Sequence, residues 1–302
     1  MGLNLSGMTT ETRNPRTMQL DQMSPLEIVT VMNEEDARVP LAIAKCLPQI
    51  AQAVTWAAEA FEKGGRLFYM GAGTSGRLGV LDAAECPPTF GVQKEMGVGL
   101  IAGGEKAFIE AVEGAEDSRE LAVEDLKAHG LTANDLVVGI AASGRTPYVL
   151  GGLDYAKSVG CHTAAIACNI GSAIGKAAEL AIEVNCGPEV LTGSTRLKSG
   201  TAQKLILNMI STGSMVRTGK AYQNLMVDVQ QTNEKLHTRA ENIVIDATGV
   251  EREKARAAID AAGGSVKTAI TMLLADCDAK EAARRLERAR GHVREAIRLE
   301  VL

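Results

Sequence analysis

Glycine and short hydroxyl residues recur together at two places in the sequence. Gly71–Arg77 reads GAGTSGR, and Gly139–Arg145, 68 residues later, repeats its outline as GIAASGR. A monophosphate is bound by hydroxyl donors and by free backbone N–H groups at a helix N-terminus, and Ser-Gly turns supply both. The two segments therefore predict a phosphate site, with helix capping by the same hydroxyls as the alternative. The predicted ligand-binding residues of these loops are Gly73, Thr74, Ser75, Ser143, Gly144 and Thr146, of which Ser75, Ser143 and Thr146 are predicted to contact the phosphate.

The first of these loops also fits the G-x-G-x-x-G pattern of dinucleotide-binding turns. In that class of protein an acidic residue about 20 residues after the glycines, at the end of the second strand, binds a ribose. Here Glu95, the acid in that neighbourhood, precedes the next strand-like run instead of following it. A nucleotide-dependent oxidoreductase is therefore not indicated.

A third segment, Gly187–Gly200, carries hydroxyls and cations ahead of a long apolar run. If a helix begins at Ser194 or Thr195, then Arg196 and Lys198 lie in its first turn. Cations there oppose the helix dipole, by about 0.3–1 kcal/mol each at an exposed site. A bound anion would remove this conflict, whereas side chains that point to solvent would cost little. We predict that Ser194, Thr195 and Lys198 contact the ligand.

Strand-like and helix-like runs alternate through the middle of the chain, which is typical of a parallel sheet covered by helices on both faces. The strand-like runs lie at residues 66–70, 98–103, 135–141, 162–168 and 181–186. The helical segments lie near residues 75–85, 105–128, 146–158 and 171–179. The sequence therefore predicts an α/β fold, a three-layer αβα domain with a five-stranded parallel sheet, whose two glycine loops open at one edge.

The ends of the chain follow other patterns. Residues 1–23 read as a polar arm. Ser24–Glu27 is a capping box that begins a helical region, and the long helix through IAQAVTWAAEAFEK ends at Gly64-Gly65. From about residue 196 no strand is evident, and the apolar helix there either crosses the core or packs against a second subunit. Beyond it, short helices are broken at Gly263-Gly264 and Gly291. The predicted domains are residues 1–54 (arm and helices), 55–240 (the αβα domain) and 241–302 (a small helical subdomain).

Composition excludes several classes of partner. The 302 residues carry a net charge of −5 and only 3% aromatic residues, so no nucleic-acid partner is expected. The polar start of the chain lacks the apolar segment of a signal peptide, and no run approaches the roughly 18–20 apolar residues of a membrane span. The six cysteines and four histidines are scattered without metal-ligand spacing, so we expect no metal and a cytoplasmic location.

Together the three loop segments resemble the sugar isomerase (SIS) superfamily, which binds phosphosugars. The resemblance narrows with TTETRN (9–14), LDAAECPPTFG (81–91), EGAEDS (113–118) and GPEVLTGSTRLKSGTAQK (187–204). From about residue 8 to the C-terminus the chain is similar to the N-acetylmuramic acid 6-phosphate etherase family. The last of these segments is shared with glucokinase regulatory protein, so by itself it does not separate an enzyme from a binding protein.

This resemblance implies a cofactor-free lyase of cell-wall recycling, which cleaves the D-lactyl ether of N-acetylmuramic acid 6-phosphate to N-acetylglucosamine 6-phosphate and D-lactate. The family's two catalytic glutamates fall on Glu85 and Glu116. Elimination of lactate and addition of water need one acid and one base, and no metal. We expect Glu85 at the end of the helix 75–85, which Pro87-Pro88 stops. A carboxylate is disfavoured there, which suits a general acid, and Glu116 is the partner acid/base.

The resemblance also implies a homodimer with sites near the subunit interface and a ubiquitin-associated-like C-terminal bundle. Arg196 and Lys198 would face either the phosphate or the lactyl carboxylate. The polar arm either reaches across the dimer to the neighbouring site or is a disordered tail. Two other functions of the same fold stay open: a phosphosugar isomerase, which needs no acid at C3 of the sugar, and a non-catalytic phosphosugar-binding regulator.

Overall fold

Five parallel strands form the central sheet in a computed structural model, which describes residues 7–110, 112–231 and 233–299. The strands are β1 Leu67–Gly71, β2 Gly97–Ile101, β3 Leu136–Ala141, β4 His162–Ala167 and β5 Leu180–Glu183. Their spatial order is β2-β1-β3-β4-β5. All five predicted strands are confirmed. The largest difference is at β5, which ends at Glu183 instead of residue 186.

Helices cover both faces of this sheet. They are α1 Pro25–Asp36, α2 Val39–Ile43, α3 Leu47–Glu62, α4 Gly73–Phe90, α5 Lys106–Ile109, α6 Arg119–Ala128, α7 Pro147–Val159, α8 Ala173–Ala177 and α9 Lys198–Arg217. Side chains alternate along β1, so Leu67 and Tyr69 share one core with α3 and α9. Phe68 and Met70 share the other core with α6 and α7. These two cores confirm the predicted αβα layering, and β1 is apolar throughout because both of its faces are buried.

The chain forms two units. The first comprises the residues up to Ala84 together with Glu95–Ser211, and the second comprises Glu85–Lys94 and the residues from Thr212 onward. The second unit contains α10 Glu234–Thr248, α11 Arg252–Ala261, α12 Val266–Ala275, α13 Ala279–Arg288 and α14 Val293–Ala296. It also contains a hairpin, β6 Ala221–Tyr222 with β7 Leu225–Met226, which was not predicted because two-residue strands leave no periodic pattern.

The predicted domain boundary between residues 240 and 241 falls inside α10. Ala240, Ile243 and Val244 of that helix are buried in one apolar cluster with residues of α11 and α12. The helical subdomain therefore begins well before residue 241. Its predicted breaks are confirmed, since Gly263, Gly264 and Gly291 all have positive φ angles and no helix crosses them.

Two predicted helices in the middle of the chain have different bounds. The helix expected to stop at residue 85 continues through Pro87 and Pro88 and ends at Phe90, and the next residue, Gly91, has a φ of +61°. Pro87 and Pro88 remove two N–H donors, yet the helix continues past them, and the N–H of Gly91 donates to the carbonyl of Pro87. The helix predicted over 105–128 is interrupted, because α5 ends at Ile109 and α6 begins at Arg119, and Gly114 between them has a φ of +75°.

The structure contains both the predicted capping box and the predicted apolar helix. The side chains of Ser24 and Glu27 cap α1 reciprocally. Ala202, Ile206 and Ile210 of α9 are completely buried in the core that contains β1, so α9 packs on the sheet. Within the described residues, none of the helices has the length and apolar character that a membrane span requires.

Candidate phosphosugar site

The first glycine loop is a tight turn from β1 into α4. A Cβ atom on Gly71 would lie 2.9 Å from the backbone nitrogen of Gly76 and 2.9 Å from the carbonyl oxygen of Ile140, so only glycine fits there. Gly73 starts α4 with a φ of +52°. The first N–H groups of a helix have no partner within it, so this turn presents donors to an anion.

The second loop leaves β3 in the same way and opens α7. Gly144 has a φ of +73°, and a Cβ atom there would lie 2.4 Å from the Cβ of Ser172. The hydroxyl of Ser143 accepts a hydrogen bond from the N–H of Arg145 at 3.3 Å. Thr146 is the N-cap residue of α7, yet its side chain makes no capping hydrogen bond. The hydroxyl of Thr146 is therefore not used by the helix.

The sheet brings the two loops side by side. Strands β1 and β3 are neighbours and pair in parallel, with Gly71 opposite Ile140. Both loops therefore leave the same carboxyl edge of the sheet, as predicted. This is the edge at which α/β folds bind ligands. The helices α4 and α7 both point their N-termini towards it.

The third segment differs from its prediction at the helix start. Helix α9 begins at Lys198 and not at Ser194 or Thr195. The carboxylate of Glu189, which is completely buried, accepts hydrogen bonds from the N–H groups of Lys198 (3.0 Å) and Ser199 (2.9 Å). The anion expected at this helix N-terminus is therefore supplied by the chain itself.

The ammonium group of Lys198 already forms an ion pair within the chain. It lies 2.6 Å from the carboxylate of Glu35 and is 1% exposed, whereas Arg196 is exposed. A direct contact between Lys198 and the ligand, as predicted, requires its ammonium to leave Glu35. The sequence carries no local sign of this pair, because 163 residues separate Glu35 from Lys198.

The start of α9 nevertheless contacts the first glycine loop. The hydroxyl of Ser75 lies 2.9 Å from the side-chain oxygen of Gln203. A Cβ atom on Gly200 would lie 3.6 Å from the methyl group of Thr74. Ser194 and Thr195 are half-buried in the turn that precedes α9, where the carbonyl of Thr195 accepts the N–H of Gly200. The fold therefore joins the first and third predicted segments.

The polar arm, which the structure describes from residue 7 onward, packs on the rest of the chain, so this part of it is not a disordered tail. Thr10 and Asn14 are 1% and 4% exposed. The side-chain nitrogen of Asn169, which follows β4, donates to the hydroxyl of Thr10 (3.0 Å) and to the carbonyl of Ser143 (3.3 Å). One asparagine therefore ties the arm to the second glycine loop.

A cavity of about 410 Å³ lies between the arm and the loop that precedes α9. Its walls include Arg13, Asn14, Thr17, Val190, Leu191 and Thr192. The arm residues of the TTETRN segment thus form one wall of a space in the first unit. Arg13 adds a cation to that wall.

The two predicted catalytic glutamates are each exposed. Glu116 lies in a single turn of 3₁₀ helix, Ala115–Asp117, in the connection from the carboxyl end of β2 to α6. Glu85 lies within α4, five residues before its end, so the predicted helix-terminal position is wrong. A position inside α4 does not disfavour the carboxylate of Glu85 in the way that a helix C-terminus would. Glu85 belongs to the second unit and Glu116 to the first.

Cysteine chemistry is not indicated at this sheet edge. Cys168 follows β4, and burial raises the pKa of its thiol. A thiol that stays protonated is a poor nucleophile. Among the described residues, no three His, Cys, Asp or Glu side chains gather as a metal site would require.

Family profiles match the chain in two overlapping ranges. The N-terminal SIS domain of glucokinase regulatory protein matches residues 49–157, and the SIS domain matches residues 120–212. The fold and the paired loops accordingly define an SIS-domain protein. A solved phosphoheptose isomerase from Francisella tularensis has a TM-score of 0.47 and 18% identity, covering 63% of this chain and 100% of its own.

Full-length relatives narrow this class. The chain is 62% identical, over 97% of its length and 100% of the relative's, to N-acetylmuramic acid 6-phosphate etherase of an Exiguobacterium species. It is 61% identical, over 98% and 99%, to the protein of the same name from Serratia proteamaculans. The chain belongs to the N-acetylmuramic acid 6-phosphate etherase family.

Proposed function

We propose that this protein is an enzyme that cleaves the D-lactyl ether of N-acetylmuramic acid 6-phosphate, giving N-acetylglucosamine 6-phosphate and D-lactate. The observation that carries this assignment is the 62% identity, over nearly the whole chain, to a protein named as that etherase. Such an enzyme recovers amino sugars from the cell wall.

The substrate's phosphate is bound by the hydroxyls of Ser75, Ser143 and Thr146 in this scheme. Two helix N-termini and two glycine turns at one sheet edge support it, because they place N–H donors beside those hydroxyls. Gly73 and Gly144 give the phosphate room to approach the backbone. Thr74, Ser194 and Thr195 form the side of the proposed phosphate site that lies next to α9.

The chemistry is an elimination followed by a hydration. Ring opening exposes an aldehyde at C1 of the sugar, which acidifies the proton on C2. One glutamate removes that proton while the other protonates the departing oxygen on C3, and water then adds by the reverse steps. Glu85 is assigned as the acid from the family resemblance, and Glu116 as its partner. The exposure of both side chains leaves each carboxylate accessible.

The protein is a cytoplasmic homodimer in this scheme. Exposed apolar side chains of the first unit, Phe108 (43%) and Ile109 (85%), support an interface with a second copy. The six cysteines form no disulfide among the described residues, which agrees with a reducing compartment. Sedimentation equilibrium tests the dimer, which has twice the 31.8 kDa of one chain; a mass of one chain would contradict it.

The activity is tested with purified protein and no added cofactor. N-acetylmuramic acid 6-phosphate is incubated in oxygen-18 water, and the products are identified by mass spectrometry. D-lactate together with N-acetylglucosamine 6-phosphate that carries the heavy oxygen at C3 is the expected result. Recovery of unchanged ether, or of an isomerised sugar that keeps its lactyl group, would contradict the assignment.

Single variants then test the two glutamates. Glu85→Gln and Glu116→Gln are each expected to lower kcat by at least about a hundredfold, the range typical of a lost acid or base. Glu110→Gln serves as the matched control, because it removes another exposed glutamate of the first unit. A variant of Glu85 or Glu116 with the activity of the control would remove that residue from the mechanism.

A further inference from the structure

A buried glutamine lies directly behind the first glycine loop. Gln203, on the second turn of α9, is completely buried, and its side-chain oxygen accepts the hydrogen bond of 2.9 Å from Ser75. Its side-chain nitrogen has no hydrogen-bond partner among the described residues. A buried donor without a partner is unfavourable, so this orientation of the amide calls for a reason.

In this arrangement the hydroxyl of Ser75 cannot also donate to a phosphate. A serine hydroxyl carries a single hydrogen, and here it is directed at Gln203. The oxygens of a phosphate dianion act as acceptors. A phosphate at this loop would therefore face the lone pairs of Ser75, and the contact would be repulsive.

We propose that Gln203 is a positioning residue, whose side-chain amide turns by about 180° when the sugar phosphate binds. The two ends of an amide are almost equal in size, so turning it places the nitrogen where the oxygen was. The nitrogen then donates to the oxygen of Ser75, and Ser75 donates its hydrogen to the phosphate. Only hydrogen bonds change in this step, and no covalent bond forms or breaks. It rests on the proposed function, because it requires a sugar phosphate at this loop.

The two linked hydrogen bonds, from Gln203 to Ser75 and from Ser75 to the phosphate, form a relay. The buried environment of Gln203 strengthens this relay. Ser75 is 7% exposed and Gln203 is 0% exposed, so water competes little for either group. Linked hydrogen bonds in a medium of low dielectric polarise one another, and a hydroxyl that accepts a bond becomes a better donor. Gln203 would therefore raise affinity for the phosphate without touching the substrate. An unphosphorylated sugar would gain nothing from it.

A double-mutant cycle tests this role. Gln203→Met keeps the length of the side chain and removes the amide, and Ser75→Ala removes the hydroxyl. Affinity for N-acetylglucosamine 6-phosphate is measured by calorimetry, and KM and kcat are measured with the ether substrate. Gln49→Met, at a half-buried glutamine on α3, is the matched control.

Gln203→Met is expected to raise the Kd and the KM about tenfold, while kcat changes less than twofold. In the Ser75→Ala background the same substitution should have no further effect, because Gln203 acts through Ser75. Gln203→Glu should weaken binding further, since a carboxylate only accepts and adds a negative charge. A tenfold loss that persists without Ser75, or wild-type affinity of Gln203→Glu, would overturn the role.

Nuclear magnetic resonance on the wild-type protein provides a second readout that does not depend on the stability of a variant. The side-chain amide protons of Gln203 should shift downfield when inorganic phosphate saturates the site, and unchanged signals would contradict the relay. Calorimetry separates the two proposals. Protein that binds the sugar phosphate but releases no lactate fails as an etherase, and the cycle still tests Gln203. Protein that cleaves the ether with an unchanged KM in Gln203→Met refutes only the relay.

Discussion

The ammonium nitrogen of Lys198 lies 2.6 Å from a carboxylate oxygen of Glu35, and neither side chain is more than 2% exposed. Glu35 also accepts hydrogen bonds from Asn14 (3.1 Å) and Arg16 (2.9 Å) of the arm. Burial raises the pKa of Glu35, but the hydrogen bonds from Lys198 and Arg16 outweigh it and lower the pKa to about 2. One buried carboxylate on α1 therefore holds the arm and the first turn of α9 together.

Glu35→Gln is expected to destabilise the protein by about 3–5 kcal/mol at pH 7, because Lys198 keeps a buried charge without a counter-charge. The pKa of Glu35 is lower in the folded protein than the ordinary value of 4.5. Its contribution is therefore present above pH 4.5 and is lost as the pH falls towards 2. Urea denaturation between pH 7 and pH 3 should show the difference from wild type shrinking in the acid range.

Glu34→Gln is the matched control for that variant. Glu34 pairs with the same Arg16, but its side chain is 51% exposed. An exposed ion pair is worth about 0–1 kcal/mol, so this variant should unfold nearly as wild type does. Equal losses in the two variants would mean that burial of the Lys198 pair is not what matters.

The second loop depends on Gly144. In Gly144→Ala, the new methyl group would meet Ser172 at 2.4 Å and the residue would keep a positive φ, so the loop must rearrange. We expect at least a tenfold weaker affinity for N-acetylglucosamine 6-phosphate, measured by calorimetry. Gly130→Ala is the control, because its φ is also positive (+60°) but no atom lies within 4 Å of the added carbon. It should cost about 1 kcal/mol of stability and leave affinity unchanged.

The arm is predicted to detach when Asn169 is removed. Asn169→Ala loses the hydrogen bonds to Thr10 and to the carbonyls of Ala142 and Ser143. Hydrogen exchange of the arm backbone over residues 8–17 should then accelerate at least tenfold. Asn134→Ala, at an exposed asparagine, should leave that exchange unchanged. Unaltered protection in Asn169→Ala would show that Glu35 alone holds the arm.

Patterns within the sequence were sufficient for the strands and the glycine loops, because each depends on residues that are neighbours in the chain. The start of α9 was misplaced by three or four residues for the opposite reason. Its N-terminus is fixed by Glu189, a residue from the preceding loop whose side chain folds back onto it. A glutamate two residues after Gly187 gives no local sign of that contact.

Pairs distant in the sequence account for the rest of what was missed. Ser75 with Gln203 and Thr10 with Asn169 are joined only by the topology of the sheet. Helix α4 was cut short at its prolines because helix rules treat an interior proline as a stop. The roles of Glu85 and Glu116 came from the family resemblance, since neither position is unusual for a glutamate on physical grounds.

A buried carboxyl between α4 and α9 gives the last prediction. Asp82 accepts hydrogen bonds on one oxygen from Asn208 (2.9 Å) and Ser211 (3.2 Å), and burial raises its pKa. Because the pKa of Asp82 is higher in the folded protein than in the unfolded chain, its contribution to stability is lost as the pH rises through the folded value. Asp82→Asn keeps the accepting oxygen and removes the buried charge. The variant should therefore be more stable than wild type above pH 4, where the carboxyl of the unfolded chain is ionised, as measured by urea denaturation. Asp154→Asn, at an exposed aspartate paired with Arg119, should show no such gain, and an equal change in both variants would contradict the effect of burial.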